Sequence, residues 1–146
     1  MSKTLPFEAT LEVRDTCLCL HAQRAARALA RRFDEVLRPF GLTNGQFSLL
    51  MSLNRPEPPT FAPVAELLAM DRTTLTAALK PLERRGLVRV EPDRKDRRSR
   101  RLILTQEGHA ALIAALPAWR EAHAEVDRML APSDPQEVRD ALRKLS

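Results

Sequence analysis

The chain has 146 residues, 44% of them hydrophobic and 29% charged, which reads as globular and long enough to bury a real core. Two cysteines exclude a disulfide scaffold, the apolar runs are too short to span a bilayer, and the opening MSKTLPFEATLEVRD lacks a secretory core, so a cytoplasmic protein is expected. The absence of tyrosine and the single tryptophan leave little for stacking on single-stranded bases, and the net charge of +5 is mild.

The first long segment runs from about Leu11 to Phe40. Its apolar residues Leu18, Ala22, Ala25, Leu29, Phe33, Val36 and Phe40 recur at steps of three and four, the stripe of one helix. Arg24, Arg27, Arg31, Asp34, Glu35 and Arg38 occupy the other side, and Pro39 and Gly41 punctuate the end. The spacing predicts one long amphipathic helix. Near its start lies Cys17-Leu18-Cys19-Leu20-His21, the only segment with sensor chemistry. On a continuous helix Cys17 and Cys19 diverge by about 200°, too far for a shared ion or a relaxed disulfide. Cys17 and His21 share a face and could offer two ligands to a soft ion completed by a second chain. The plainer reading is a pair of small hydrophobes filling a helix seam. The sharper one makes Cys17 and Cys19 sensors of an oxidant, an electrophile or a soft metalloid.

Thr43-Asn44-Gly45-Gln46 has the form of a capping box, opening a second helix that carries Phe47, Leu50, Met51 and Leu53 inward. Three prolines within Arg55–Thr60 demand a loop. A short helix follows from about Pro63 to Ala69, with Val64, Leu67 and Leu68 apolar. Asp71 is then the natural N-cap of a helix that reaches about Arg85 and stops at Gly86. Leu75, Leu79 and Leu82 face inward; Arg72, Thr73, Thr76, Ala77 and Lys80 face outward. Capping and back-bonding account for Thr74, dipole complementation accounts for Arg84 and Arg85, and Pro81 predicts a bend.

Leu87–Glu91 and Arg101–Leu104 read as two short strands joined by the polar tip EPDRKDRRSR. Thr105 caps a helix with the seam Leu112, Leu116, Trp119, His123, Val126 and Leu130, in which Pro117 predicts a kink. Ser133-Asp134-Pro135-Gln136 has the form of a second capping box before Val138, Leu142 and Leu145. The resulting class is mainly α with a small β-hairpin wing: a winged helix-turn-helix over 43–104, flanked by helices over 1–40 and 105–146 whose long apolar seams a lone chain would struggle to cover and which are therefore expected to serve dimerisation.

The charge is concentrated. Between Arg72 and Arg101 eleven Lys/Arg face four acids, a local +7 that leaves −2 for the rest. A solvated face would explain a basic block in general. It does not explain six Lys/Arg between Arg94 and Arg101 with only Asp93 and Asp96 nearby. Double-stranded DNA is the expected partner, with the Asp71–Arg85 helix in a major groove and the hairpin in a minor groove or along the backbone. The candidate contacts are Arg72, Thr73, Thr74, Thr76 and Lys80 on the helix and Arg94, Lys95, Arg97 and Arg98 on the hairpin. A double-stranded RNA or ribosome-associated winged-helix protein shares the same basic block. An enzyme is not indicated, since no HExxH, Gly-rich phosphate loop or nucleophile elbow is present, and no resident cofactor is expected.

The sequence resembles the MarR-type bacterial transcription regulators. The residues that carry the resemblance are Leu82-Glu83-Arg84-Arg85-Gly86-Leu87-Val88, Asp93-Arg94-Lys95-Asp96-Arg97-Arg98, and Leu102-Ile103-Leu104-Thr105 with Gly108. The resemblance implies that Asp96 pairs with Arg98 to fix the wing, that Arg98 enters the minor groove, and that Asp71–Arg85 is the recognition helix. It departs at Ala77, where the family often has a basic residue. It implies a homodimer on a roughly palindromic operator, and a possible small-molecule effector, an anionic aromatic, held between the dimer helices and the winged domain. Arg14, Arg24, His21 and Trp119 are candidates for that role by position. Cys19 falls where the organic-hydroperoxide-sensing branch has its reactive cysteine, but that branch holds its thiolate with tyrosines, which this chain lacks.

Overall fold

The computed structural model describes residues 4–146. The order is α1 (Phe7–Thr16), α2 (Leu18–Leu37), a 3₁₀ turn (Arg38–Phe40), α3 (Asn44–Leu53), α4 (Phe61–Leu68), α5 (Arg72–Arg84), β1 (Val88–Pro92), β2 (Arg100–Leu104), α6 (Gln106–Met129) and α7 (Pro135–Lys144). The chain divides into two compact units, one ending at Arg32 and the other spanning Phe33–Ser146.

In the N-terminal unit the expected single helix is two. Cys17 has extended backbone (φ −71°, ψ 108°) and ends α1, and the helix resumes at Leu18. Neither proline nor glycine marks this break, so the stripe alone could not locate it. The helical-wheel separation of Cys17 and Cys19 therefore does not apply. At the far end the last predicted turn tightens to 3₁₀ over Arg38–Phe40, and Gly41 closes it at φ 71°.

The larger unit is built around leucine. Leu37, Leu49, Leu50, Val64, Leu75, Leu79, Leu82 and Leu102 are essentially without exposure. Each such side chain contributes about 1.5–3 kcal/mol relative to exposure, and together they bind α3, α4, α5, the hairpin and the first half of α6 into one core. Thr43 and Gln46 cap α3 reciprocally, at 3.2 and 3.1 Å. Asp34 adds a further cap, accepting from the Asn44 N–H at 2.7 Å and from its side-chain amide at 2.8 Å.

Local chemistry also fixes the second half of the core. Leu87 N–H donates to the Leu82 carbonyl at 3.0 Å and Gly86 N–H to the Glu83 carbonyl at 3.0 Å, a left-handed stop for α5 with Gly86 at φ 72°. Thr105 joins this stop to α6: its hydroxyl donates to the Gly86 carbonyl at 2.6 Å and accepts from the Gly108 N–H at 3.0 Å. Gly108 is required there by close approach. A Cβ would overlap the Leu87 carbonyl oxygen and stand 2.7 Å from the Leu104 Cδ1.

Helices α5 and α6 run on through Pro81 and Pro117 as single elements. The α6 seam contains Leu112, Leu116 and Trp119, and its most buried positions include Ala115 and Ala122 as well. Before α7 the cap is Asp134, accepting from the Gln136 N–H at 2.9 Å, rather than the Ser133 capping box expected from the sequence. Helix α7 buries none of its side chains.

Candidate nucleic-acid interface

The outward face of α5 follows from its core face. With Leu75, Leu79 and Leu82 buried, Arg72, Thr73, Thr74, Thr76, Ala77 and Lys80 are all exposed. Asp71 caps the helix by accepting from the Thr74 N–H at 2.7 Å. The backbone N–H and the hydroxyl of Thr74 hold the Asp71 carboxyl below its ordinary range. Thr74 thus belongs to the cap, as the sequence suggested. Thr76 is also engaged, its hydroxyl donating to the Arg72 carbonyl at 2.8 Å. The sequence did not reveal what steadies Arg72: its guanidinium lies 4.9 Å from the centre of the Phe61 ring, at the start of α4.

The hairpin pairs Val88 with Leu104 through to Pro92 with Arg100. Its strands extend to Pro92 and Arg100, so the tip shortens to Asp93–Ser99. Within the tip, Asp93 N–H donates to the Ser99 carbonyl at 2.9 Å and Ser99 N–H to the Asp96 carbonyl at 2.9 Å. The contact between Asp96 and Arg98 that the family resemblance implies is made here through the backbone. The Asp96 carboxylate accepts from the backbone N–H of Arg98 at 3.1 Å, not from its guanidinium. Asp93 takes the ion pair, with Arg101 Nε at 3.0 Å. Arg101 holds the Asp93 carboxyl below its ordinary range, against the opposing effect of desolvation.

Both acids of the tip are therefore engaged. Among the described residues Arg94, Lys95, Arg97, Arg98 and Arg100 have no acidic partner. Five cations without an acidic partner on a short hairpin, beside a helix presenting Arg72 and Lys80, give a strongly basic surface, the electrostatic character that suits a polyanion.

The cysteines are placed differently from a filled seam. Cys17 is half-buried and Cys19 exposed. The Cys17 Sγ accepts from the Leu20 N–H at 3.4 Å, and the Gln23 amide donates to the Cys19 Sγ at 3.3 Å. His21 Nδ1 lies 2.7 Å from the Cys17 carbonyl oxygen, so that nitrogen addresses the backbone and not the thiol. No group of three potential metal ligands occurs among the described residues. His123 packs at a tilt in the larger unit, 4.9 Å from Trp119 and 5.9 Å from Phe33 between ring centres. Trp119 also stacks on Phe47 and borders an open apolar groove of about 450 Å³ with Met51, Leu67 and Leu116. No helix among the described residues is long and apolar enough to cross a membrane.

A cap-started helix packed behind a second helix and followed by a basic two-stranded hairpin defines the class of winged helix-turn-helix proteins. Residues 42–99 match the model of the MarR family. A solved structure of the M. tuberculosis transcriptional regulator MosR in complex with DNA is 41% identical, covers 88% of this chain and 92% of that one, and superposes with a TM-score of 0.80. The chain belongs to the MarR family of transcriptional regulators. Among curated relatives, the transcriptional activatory protein BadR of Rhodopseudomonas palustris is 38% identical over 90 residues, 59% of this chain and 51% of BadR. The transcriptional repressor MprA of Escherichia coli is 29% identical over 137 residues, 92% of this chain and 76% of MprA. The match thus spans about half the length of BadR and most of MprA. These relatives are transcriptional regulators, not enzymes.

Proposed function

We propose that this protein is a dimeric, sequence-specific regulator of transcription, a repressor that a chemical signal releases from double-stranded DNA. The observation that carries the reading is the wing tip, whose two acids are engaged within the chain and whose cations are left free. In this reading residues 43–104 bind DNA and the helices of 1–40 and 105–146 join two copies. Helix α5 lies in the major groove with Arg72, Thr73, Thr74, Thr76 and Lys80 toward bases and phosphates, and Arg94, Lys95, Arg97 and Arg98 follow the minor groove. Two-fold symmetry then demands a roughly palindromic operator with half-sites about 34–36 Å apart. The DNA in the MosR structure supports the choice of duplex DNA over RNA. The name of MprA supports repression.

Arg98→Ala is the direct test. Binding to all duplex sequences weakens, and the salt dependence of log K falls by about one counterion. An unchanged slope removes Arg98 from the contacts. Competition between duplex DNA and duplex RNA in the same gel-shift assay decides the partner.

We further propose that Cys17 and Cys19 are the signal-receiving groups. The exposed Cys19 thiol and the half-buried Cys17 at a helix break are reachable, as inert core thiols are not. Replacing both by serine leaves DNA binding intact and abolishes release by peroxide or arsenite. Release from the double variant at the wild-type dose ends this reading. The Trp119 groove remains the place for a small-molecule effector if the thiols are silent.

A further inference from the structure

Arg101 belongs to the basic block, yet its guanidinium is engaged within the chain. Its Nε donates to Asp93 Oδ1 at 3.0 Å and its Nη1 to the Pro58 carbonyl oxygen at 2.8 Å. The Asp93 side chain is only 14% exposed, the most buried carboxylate of any ion pair among the described residues, and that of Arg101 is 36% exposed. The backbone repeats the connection. Thr60 pairs with Arg101 in an antiparallel bridge, and the Leu102 N–H donates to the Pro59 carbonyl at 2.8 Å. Strand β2 is therefore flanked on one edge by β1 and on the other by the proline-rich segment before α4. Asp93 in turn closes the tip, its second oxygen accepting from the Asp96 N–H at 3.3 Å.

We infer that Arg101 is a positioning residue of the wing and not one of its phosphate contacts: it ties the carboxylate that closes the tip to the Pro58 carbonyl. The need for such a tie is physical. Arg94, Lys95, Arg97 and Arg98 repel one another, and a free tip would have to be ordered against that repulsion when DNA binds. A tip held beforehand by Arg101 presents its cations in one direction. The proline-rich segment is a suitable anchor because its own backbone freedom is already restricted.

The inference rests on the DNA-binding reading, and the test separates the two. Point-charge reasoning says that Asp93→Ala, which removes a negative charge from the wing, tightens binding to DNA. The tie says the opposite. We expect Asp93→Ala, and equally Arg101→Lys, which keeps the charge but not the fork, to raise Kd for a mixed-sequence duplex about three- to tenfold with the salt slope retained. Without DNA, tryptic cutting after Arg94, Lys95, Arg97 and Arg98 accelerates several-fold relative to cuts elsewhere in the chain. Tighter or unchanged DNA binding by Asp93→Ala overturns the inference, and so does acceleration shared by all tryptic sites or absent from the wing. If the wild type binds no duplex at all, the DNA-binding reading fails, and the trypsin comparison still decides whether Arg101 holds the tip.

Discussion

Asp34 caps a helix ten residues further along the chain, accepting from the Asn44 N–H that the Thr43–Gln46 capping box leaves free. It accepts from both the backbone and the side-chain amide of Asn44, and these bonds, aided by Arg38, hold its carboxyl below the ordinary value of 3.8 against the opposing effect of desolvation. A carboxylate favoured in the folded chain contributes stability that is complete above the unfolded value and is lost as pH falls through the lower folded one. Asp34→Ala should therefore cost about 1–2 kcal/mol near neutral pH. The gap from wild type narrows as pH falls below about 4. Urea unfolding of the two proteins across that range measures it. Asp71 and Asp93 are also held low but are present in both proteins, so they cancel in the difference. A gap that does not change with pH would assign Asp34 a packing role instead.

Among the elements, what could be read from the sequence is what repeats or caps locally. The stripe Leu75, Leu79, Leu82, the Asp71 cap, the Gly86 stop and the Thr105 cap are each set by residues within a few positions of one another, and each stands where the spacing puts it. The two short apolar runs on either side of the polar tip located the wing strands to within a residue or two. What was hidden depends on partners distant in sequence. Nothing near Arg72 announces that Phe61 stacks beneath it, and nothing in Arg101 distinguishes it from its basic neighbours until Asp93 and Pro58 stand beside it. Ala115 and Ala122 escaped notice because a small side chain adds little to an apolar stripe, although it permits the closest approach between helices. The wing acids illustrate the limit well. The sequence could say that two carboxylates stand among six cations, but that Asp93 takes Arg101 while Asp96 takes only a backbone N–H is decided by the fold of the hairpin.

The whole molecule poses a question that one copy does not answer. Helix α7 has ten residues and buries none of them, and a helix that short does not hold itself together in water. Its polar side is laced by Gln136–Asp140 and Arg143–Asp140 contacts, and Arg139 reaches Asp127 on α6. Its apolar side, with Leu142 at 51% and Leu145 at 66% exposure, is bare, as are Met129 on α6 and Phe7 and Leu18 near the start of the chain. Bare apolar residues of this size on a short terminal helix are what a partner surface would cover. Under the proposed reading of two-fold DNA recognition the occupant is a second copy, which would supply the same residues to itself. Light scattering on the wild-type protein should give twice the 16.5 kDa of one chain. Leu142→Lys combined with Leu145→Lys should return it toward a single chain and lower its melting temperature. A monomeric half-molecule engages one half-site at a time, so its affinity for a palindromic duplex should fall by about two orders of magnitude or more, with the wing contacts and their salt dependence per half-site unchanged. Were the doubly substituted protein to remain a dimer with full affinity, α7 would lie outside the interface and the pairing would have to run through α6 and the N-terminal helices.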